Sequence, residues 1–122
     1  SYLELPMANE RTETFEFDRA GDLVRRVIPQ LPHQPYEHRC TLVSYQQVAQ
    51  EADELGQVGF TGEELARRTD VPFSQVATAI AFMKERGCIV TECKRNYAPA
   101  DGDIHLDAMI EFHAQREKSA GG

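Results

Sequence analysis

The residues whose types could carry chemistry fall into a few small groups. His33, His38 and Cys40 lie close together, and imidazole and thiolate are zinc-ligand types. A closed zinc site needs a second spaced pair, which does not follow, and Pro29, Pro32 and Pro35 share the segment, so the three read as surface residues of a stiff connector. His105 and His113 fall near one side of a helical stretch, which admits no more than a metal shared between two copies. The three cysteines, Cys40, Cys88 and Cys93, form no CxxC pair, and in a strand-like stretch Cys88 and Cys93 act as small hydrophobes. Neither an HExxH pattern, nor a glycine-rich phosphate loop, nor a Ser/His/Asp grouping is present. The expectation is a protein that is not an enzyme and that needs no metal or cofactor.

The positioning elements must come from a chain of 122 residues, enough for one core with extensions. Apolar residues make up 41%, too many for a generally disordered chain. No apolar run approaches the roughly 20 residues of a membrane helix, and no charged-then-apolar leader opens the sequence, so a cytoplasmic location is expected. Met7 is a candidate natural start. The formal net charge is −7, and no segment is basic. Residues 41–98 hold six Lys and Arg against eight Asp and Glu. Affinity for nucleic acid comes mainly from cations that neutralise phosphates, so this balance argues against tight DNA binding.

Periodicity divides the chain into three parts. Residues 1–40 read as a loose arm, an extended Phe15-Glu16-Phe17 segment, a helix and the proline-rich connector. Leu23, Val24, Val27, Ile28 and Leu31 recur at helical spacing for that helix, and Asp18 or Asp22 is available to cap it. Residues 41–99 carry a stronger pattern. Ser44 and Gln47 form a candidate capping box for a helix that buries Tyr45, Val48, Ala52 and Leu55 and stops at Gly56. Thr61 and Glu64 cap a short helix over 62–68. Asp70-Val71-Pro72 makes the turn, and a helix to about Arg86 follows with Val76, Ala79, Ile80 and Met83 inward. Residues 88–93 and Tyr97-Ala98 make a hairpin about a Lys94-Arg95-Asn96 turn. Residues 100–122 supply a last helix.

The stretch GFTGEELARRTDVPFSQV over residues 59–76 resembles the helix-turn-helix of bacterial winged-helix regulators. It has the Thr cap, the Glu-Leu-Ala core, Val71 in the turn and Val76 early in the second helix, and Ala79-Ile80, Met83 and 87–90 continue the pattern into the wing. Leu65 and Ala66 must nest against Val76 and Ile80 across a tight turn, which asks for a small residue at 66. The arrangement with flanking helices is similar to the dimeric multiple-antibiotic-resistance and phenolic-acid-decarboxylase repressors, by analogy only. The resemblance implies a mainly α fold with a small β-hairpin, a winged helix-turn-helix at 41–99 with N- and C-terminal flanking helices.

It also implies a function, a dimeric regulator of transcription bound to double-stranded DNA. Phe73, Ser74, Gln75 and Thr78 would then face bases or phosphates, with Gln75 suited to adenine and Thr78 to a thymine methyl. Lys94 and Arg95 at the wing tip, with Arg67 and Arg68, would contact the backbone or minor groove. The sequence departs from the pattern on the middle turns of the second helix, where Ala77, Ala81 and Phe82 stand in place of cations. An outward Phe82 would mark a protein interface, and an inward one would be core. Leu106, Met109, Ile110 and His113, with Phe112 nearby, make an apolar face on the last helix that either covers the domain or pairs with a second copy as a homodimer. The alternative function is a winged helix used for protein contact, as a subunit or adaptor.

Overall fold

The computed structural model describes residues 11–121, so the arm and Met7 lie outside the described residues. Three antiparallel strands come first, β1 (Thr12–Phe17), β2 (Leu23–Ile28) and β3 (Tyr36–Cys40), in the order β1-β2-β3. Then follow α1 (Leu42–Leu55), α2 (Gly62–Thr69), α3 (Phe73–Glu85), a hairpin of β4 (Val90–Glu92) and β5 (Arg95–Tyr97), and α4 (Ile104–Gly121). With 47% helix and 22% strand in two sheets, this is an α/β fold, and the mainly α expectation is overturned.

The error lies in the N-terminal forty residues. Leu23-Val24-Arg25-Arg26-Val27-Ile28 satisfies a helical period, yet it is strand β2, paired with β1 and β3 on its two sides. A six-residue segment is too short to hold a helix by itself. Val24, Val27 and Ile28 are β-branched, and β2 has a hydrogen-bonded neighbour along each edge. Asp18 caps no helix; its Oδ1 accepts from Asp22 N at 3.0 Å and shapes the β1–β2 turn. Leu31 is 66% exposed in the β2–β3 loop, outside any helix. The extended reading of residues 15–17 agrees with β1.

Register gives the sheet two unlike faces. Phe15 and Phe17 share a face with Leu23, Arg25, Val27, His38 and Cys40, and this face lies on the helices. On the other face Arg26 bridges Glu16 at 3.0 Å and Glu37, and Arg39 meets Asp18 at 3.2 Å. Exposed pairs of this kind add little stability, and Val24 lies buried on this face between Glu16 and Arg39.

Aromatic rings join the layers. Tyr45 on α1 lies 4.6 Å from Phe112 on α4 and 6.0 Å from Phe82 on α3, measured between ring centres. Phe15 packs edge-on to Phe82 at 5.4 Å, and Phe17 to Phe112 at 4.8 Å. Tyr45, Phe82 and Phe112 are fully buried. The Tyr45 hydroxyl donates to the Ala108 carbonyl at 2.7 Å, which satisfies the polar end of a buried ring. Burial and the neighbouring groups push its ionisation up, so the hydroxyl stays protonated.

The helical caps follow side-chain chemistry. Thr41 Oγ1 accepts from Ser44 N at 3.1 Å and opens α1, so Thr41 replaces the expected Ser44 cap. Thr61 Oγ1 accepts from Glu64 N at 3.2 Å and opens α2 as expected. Asp70 ends α2 in the left-handed region, φ 61°. Among the described residues no helix is long and apolar enough to cross a membrane.

Replacing Phe82 by Ala removes the ring that both the sheet and α1 pack on, and the expected loss is about 3–5 kcal/mol of unfolding free energy. Urea unfolding of the two proteins checks this. A loss below about 1 kcal/mol would mean that the sheet does not depend on this ring.

Candidate recognition face along α3

The turn between α2 and α3 is built from the inside. Leu65, Val71, Val76, Ile80 and Met83 belong to one buried cluster, with Ala66 packed at its edge. Thr69 Oγ1 donates to the Leu65 carbonyl at 2.6 Å and accepts from Val71 N at 3.3 Å, which ties the turn to the helix before it. Pro72 caps α3 without a side-chain bond, and its carbonyl accepts from Gln75 N and Val76 N at 3.0 and 3.1 Å.

α3 is held on two sides. α1 and α2 take Val76, Ala79, Ile80 and Met83, while the three-stranded sheet lies along the flank of Thr78 and Phe82. Thr78 is therefore buried, with its hydroxyl donating to the Ser74 carbonyl at 2.8 Å, and it cannot read a base. Gln75 is half-buried, and its Oε1 accepts from Thr41 N at 3.2 Å, so it secures the start of α1. Phe82 forms no interface patch; it is core, covered by Phe15, with the Arg86 guanidinium 4.9 Å from its ring centre. Of the four α3 residues expected at a contact surface, Phe73 and Ser74 remain exposed, Phe73 at 54%.

The expected cations also divide. The hairpin turns at Cys93 and Lys94, both at positive φ, 49° and 66°, a two-residue primed turn. Arg95 therefore stands in β5 and not at the tip. Its guanidinium folds back to Glu64 at 2.9 Å and to the Gly59 carbonyl at 2.8 Å. Gly59 allows this approach, since its φ is 94° and a Cβ there would lie 2.6 Å from the Tyr97 ring. Arg68 pairs with Glu51 at 2.8 Å on the exposed side of α1 and α2. Arg67 and Lys94 are exposed, and neither has an ionic partner within 4 Å among the described residues.

Along α3 a strip of Phe73, Ala77, Ala81 and Lys84 stays outward, with Ser74 and Glu85 exposed beside it. Two adjoining depressions of about 250 and 380 Å³ run along it and share Arg25, Ala81 and Lys84. Alanines make the floor. Phe73 and Asn96 stand on the hairpin side, and Arg25 of β2 stands on the sheet side, paired to Glu13 at 2.5 Å. Neither Lys84 nor Arg11, which lines the sheet end of the groove, has an ionic partner within 4 Å among the described residues. Sequence reasoning missed Arg25, because it belongs to the segment read as a helix. The alternation of β2 against Phe15 and Phe17 was the signal for it.

The other candidate groups are separate from this face. His33 is exposed in a loop, His38 is half-buried in β3, and Cys40 is buried facing the core. Burial pushes the Cys40 thiol up to about 12 and the Cys88 thiol to about 11, so both are neutral. Among the described residues no three His, Cys, Asp or Glu side chains are grouped to hold a metal. On α4, Ile104, Ala108 and Phe112 face the core, and Leu106, Ile110 and His113 face out, with Met109 half-buried at the margin. The chain matches no protein-family model, and neither a curated protein nor a solved structure matches it.

The Arg95 hydrogen bond holds the Glu64 carboxyl below the usual glutamate range. A folded-state value below the unfolded one means that the stabilisation is present at neutral pH and is lost as pH falls through the lowered value. Glu64→Gln is expected to melt below the parent at pH 7, with the gap closing by pH 3. A gap that stays constant with pH would show that the pair adds nothing.

Proposed function

We propose that this chain is a non-catalytic protein-recognition module of the winged-helix kind, whose α3 groove receives a short partner segment. That segment carries an apolar side chain to sit on Ala77 and Ala81 beside Phe73, and a carboxylate to meet Lys84. The observation that carries this reading is the composition of the outward α3 strip, small and apolar on its middle turns where a DNA reader needs cations. Two facts support it. Arg68 and Arg95 are already paired within the chain. The formal net charge of −7 repels a phosphate backbone at long range. A cytoplasmic location belongs to the same proposal, supported by three cysteines that are all unpaired.

The second reading is the dimeric DNA-binding regulator. Arg67 and Lys94 favour it, since both are exposed without an ionic partner among the described residues, and the order of α1, α2, α3 and hairpin suits it.

Selection of a random peptide library on the full chain tests the groove. Enriched peptides are expected to pair an aromatic or aliphatic residue with Asp or Glu, and Lys84→Glu, an exposed change, is expected to remove the preference for acid. Random duplex DNA at about 50 mM salt is expected to show no anisotropy change. Binding to that duplex which weakens with a steep salt slope would replace the protein reading by the regulator.

A further inference from the structure

A depression of about 400 Å³ lies between the β1–β2 turn and the last turns of α4, and it shares no residue with the α3 groove. Phe17 gives it an apolar wall, and Arg19, Arg116 and Ser119 give it polar ones. Neither guanidinium has an ionic partner within 4 Å among the described residues. The acid of the site, Asp18, is already committed. Its carboxylate accepts from Asp22 N at 3.0 Å and from Arg39 Nε at 3.2 Å, and these bonds hold it below the usual aspartate range. With Asp18 answered by Arg39, the concave surface keeps two positive charges in a chain whose formal net charge is −7.

The turn places Arg116. Gly21 has φ 87°, and a Cβ there would lie 2.9, 3.2 and 3.3 Å from Nη2, Cζ and Nε of Arg116. The missing side chain lets the guanidinium rest against the backbone of the turn, which brings a residue of α4 to the same depression as Arg19. Ser119 follows Arg116 by three residues, so its hydroxyl falls on the same side of α4. The C-terminal end of a helix carries about half a negative charge, less than either guanidinium supplies. Glu117 lines a different depression, together with His113.

We propose that this depression binds a phosphate monoester, with the phosphate held between Arg19 and Arg116 and the organic body lying on Phe17. Guanidinium presents paired N–H donors in a fixed fork that matches the oxygens of an anion. A carboxylate has two oxygens and one charge, and a single fork satisfies it. A phosphate monoester carries a charge of about −1.5 to −2 and three acceptor oxygens, which call for two forks. Small-molecule sites run from about 300 to 1,000 Å³, so the volume leaves room beside the phosphate for the rest of the ligand.

Phenyl phosphate is the probe, titrated into the full chain and followed through amide shifts in two-dimensional NMR. The shifts are expected to concentrate at residues 18–21 and 116–120, with binding about five-fold tighter than for inorganic phosphate or benzoate. Arg19→Gln and Arg116→Gln are each expected to weaken binding about ten-fold. Their melting curves should match the parent's, because both side chains are exposed. Shifts that sodium chloride reproduces at equal ionic strength, or that survive in the double variant, overturn the proposal. Benzoate binding as tightly as phenyl phosphate overturns the choice of phosphate, and inorganic phosphate doing so overturns the contact with Phe17.

Discussion

The burial of Phe82 between the sheet and α1 is the constraint from which the rest of the arrangement follows. Its ring has Phe15 on one side and Tyr45 on another, and Tyr45 leans in turn on Phe112, which carries Phe17. Five rings thus connect β1, α3, α1 and α4 in one continuous contact. Edge-on aromatic geometry adds to the area each ring removes from water, so the relative placement of these elements is strongly determined. The N-terminal sheet is therefore part of the core and not an appendage to the helices.

That placement decides what α3 can present. A helix held only by α1 and α2 would leave about half of its circumference free, and Thr78 and Phe82 would be open to a ligand. The sheet closes that flank, consumes Thr78 and Phe82 as core, and leaves a narrow strip of alanines between Phe73 and Lys84. The same packing brings Arg25 to the rim. On the other rim the hairpin is anchored through Arg95, whose charge serves Glu64 and the Gly59 carbonyl. A reciprocal backbone pair between Phe60 and Asn96, 2.9 Å each way, fixes the hairpin to the segment before α2.

Local signals were legible wherever a short stretch of chain satisfies its own needs. The Thr61 cap with Glu64, the Asp70-Val71-Pro72 turn, the inward row Val76, Ala79, Ile80 and Met83, and the breaks at Gly87 and Gly102 all depend on neighbours within a few residues. Helical hydrogen bonds and caps are local, so residue type and spacing specify them. The same holds for apolar residues that must face inward from a helix of known period.

Pairing between distant strands was not legible in this way. Leu23 to Ile28 carries apolar residues that fit a helix or a strand, and only the availability of β1 and β3 as partners settles the choice, because strand hydrogen bonds are made to another part of the chain. The roles of Gln75, Thr78, Phe82 and Arg95 share that cause: each is polar or aromatic enough for a surface contact, and each is claimed by a group 31 or more residues away or by burial under the sheet. Residue types and spacing alone established the helices of residues 42–85, their inward faces and the Thr61 cap of α2, for these rest on interactions within a turn or two. Tertiary structure alone decided that the first strands form a sheet, that this sheet covers one flank of α3, and which side chains remain for a partner, since burial is a property of the assembled layers.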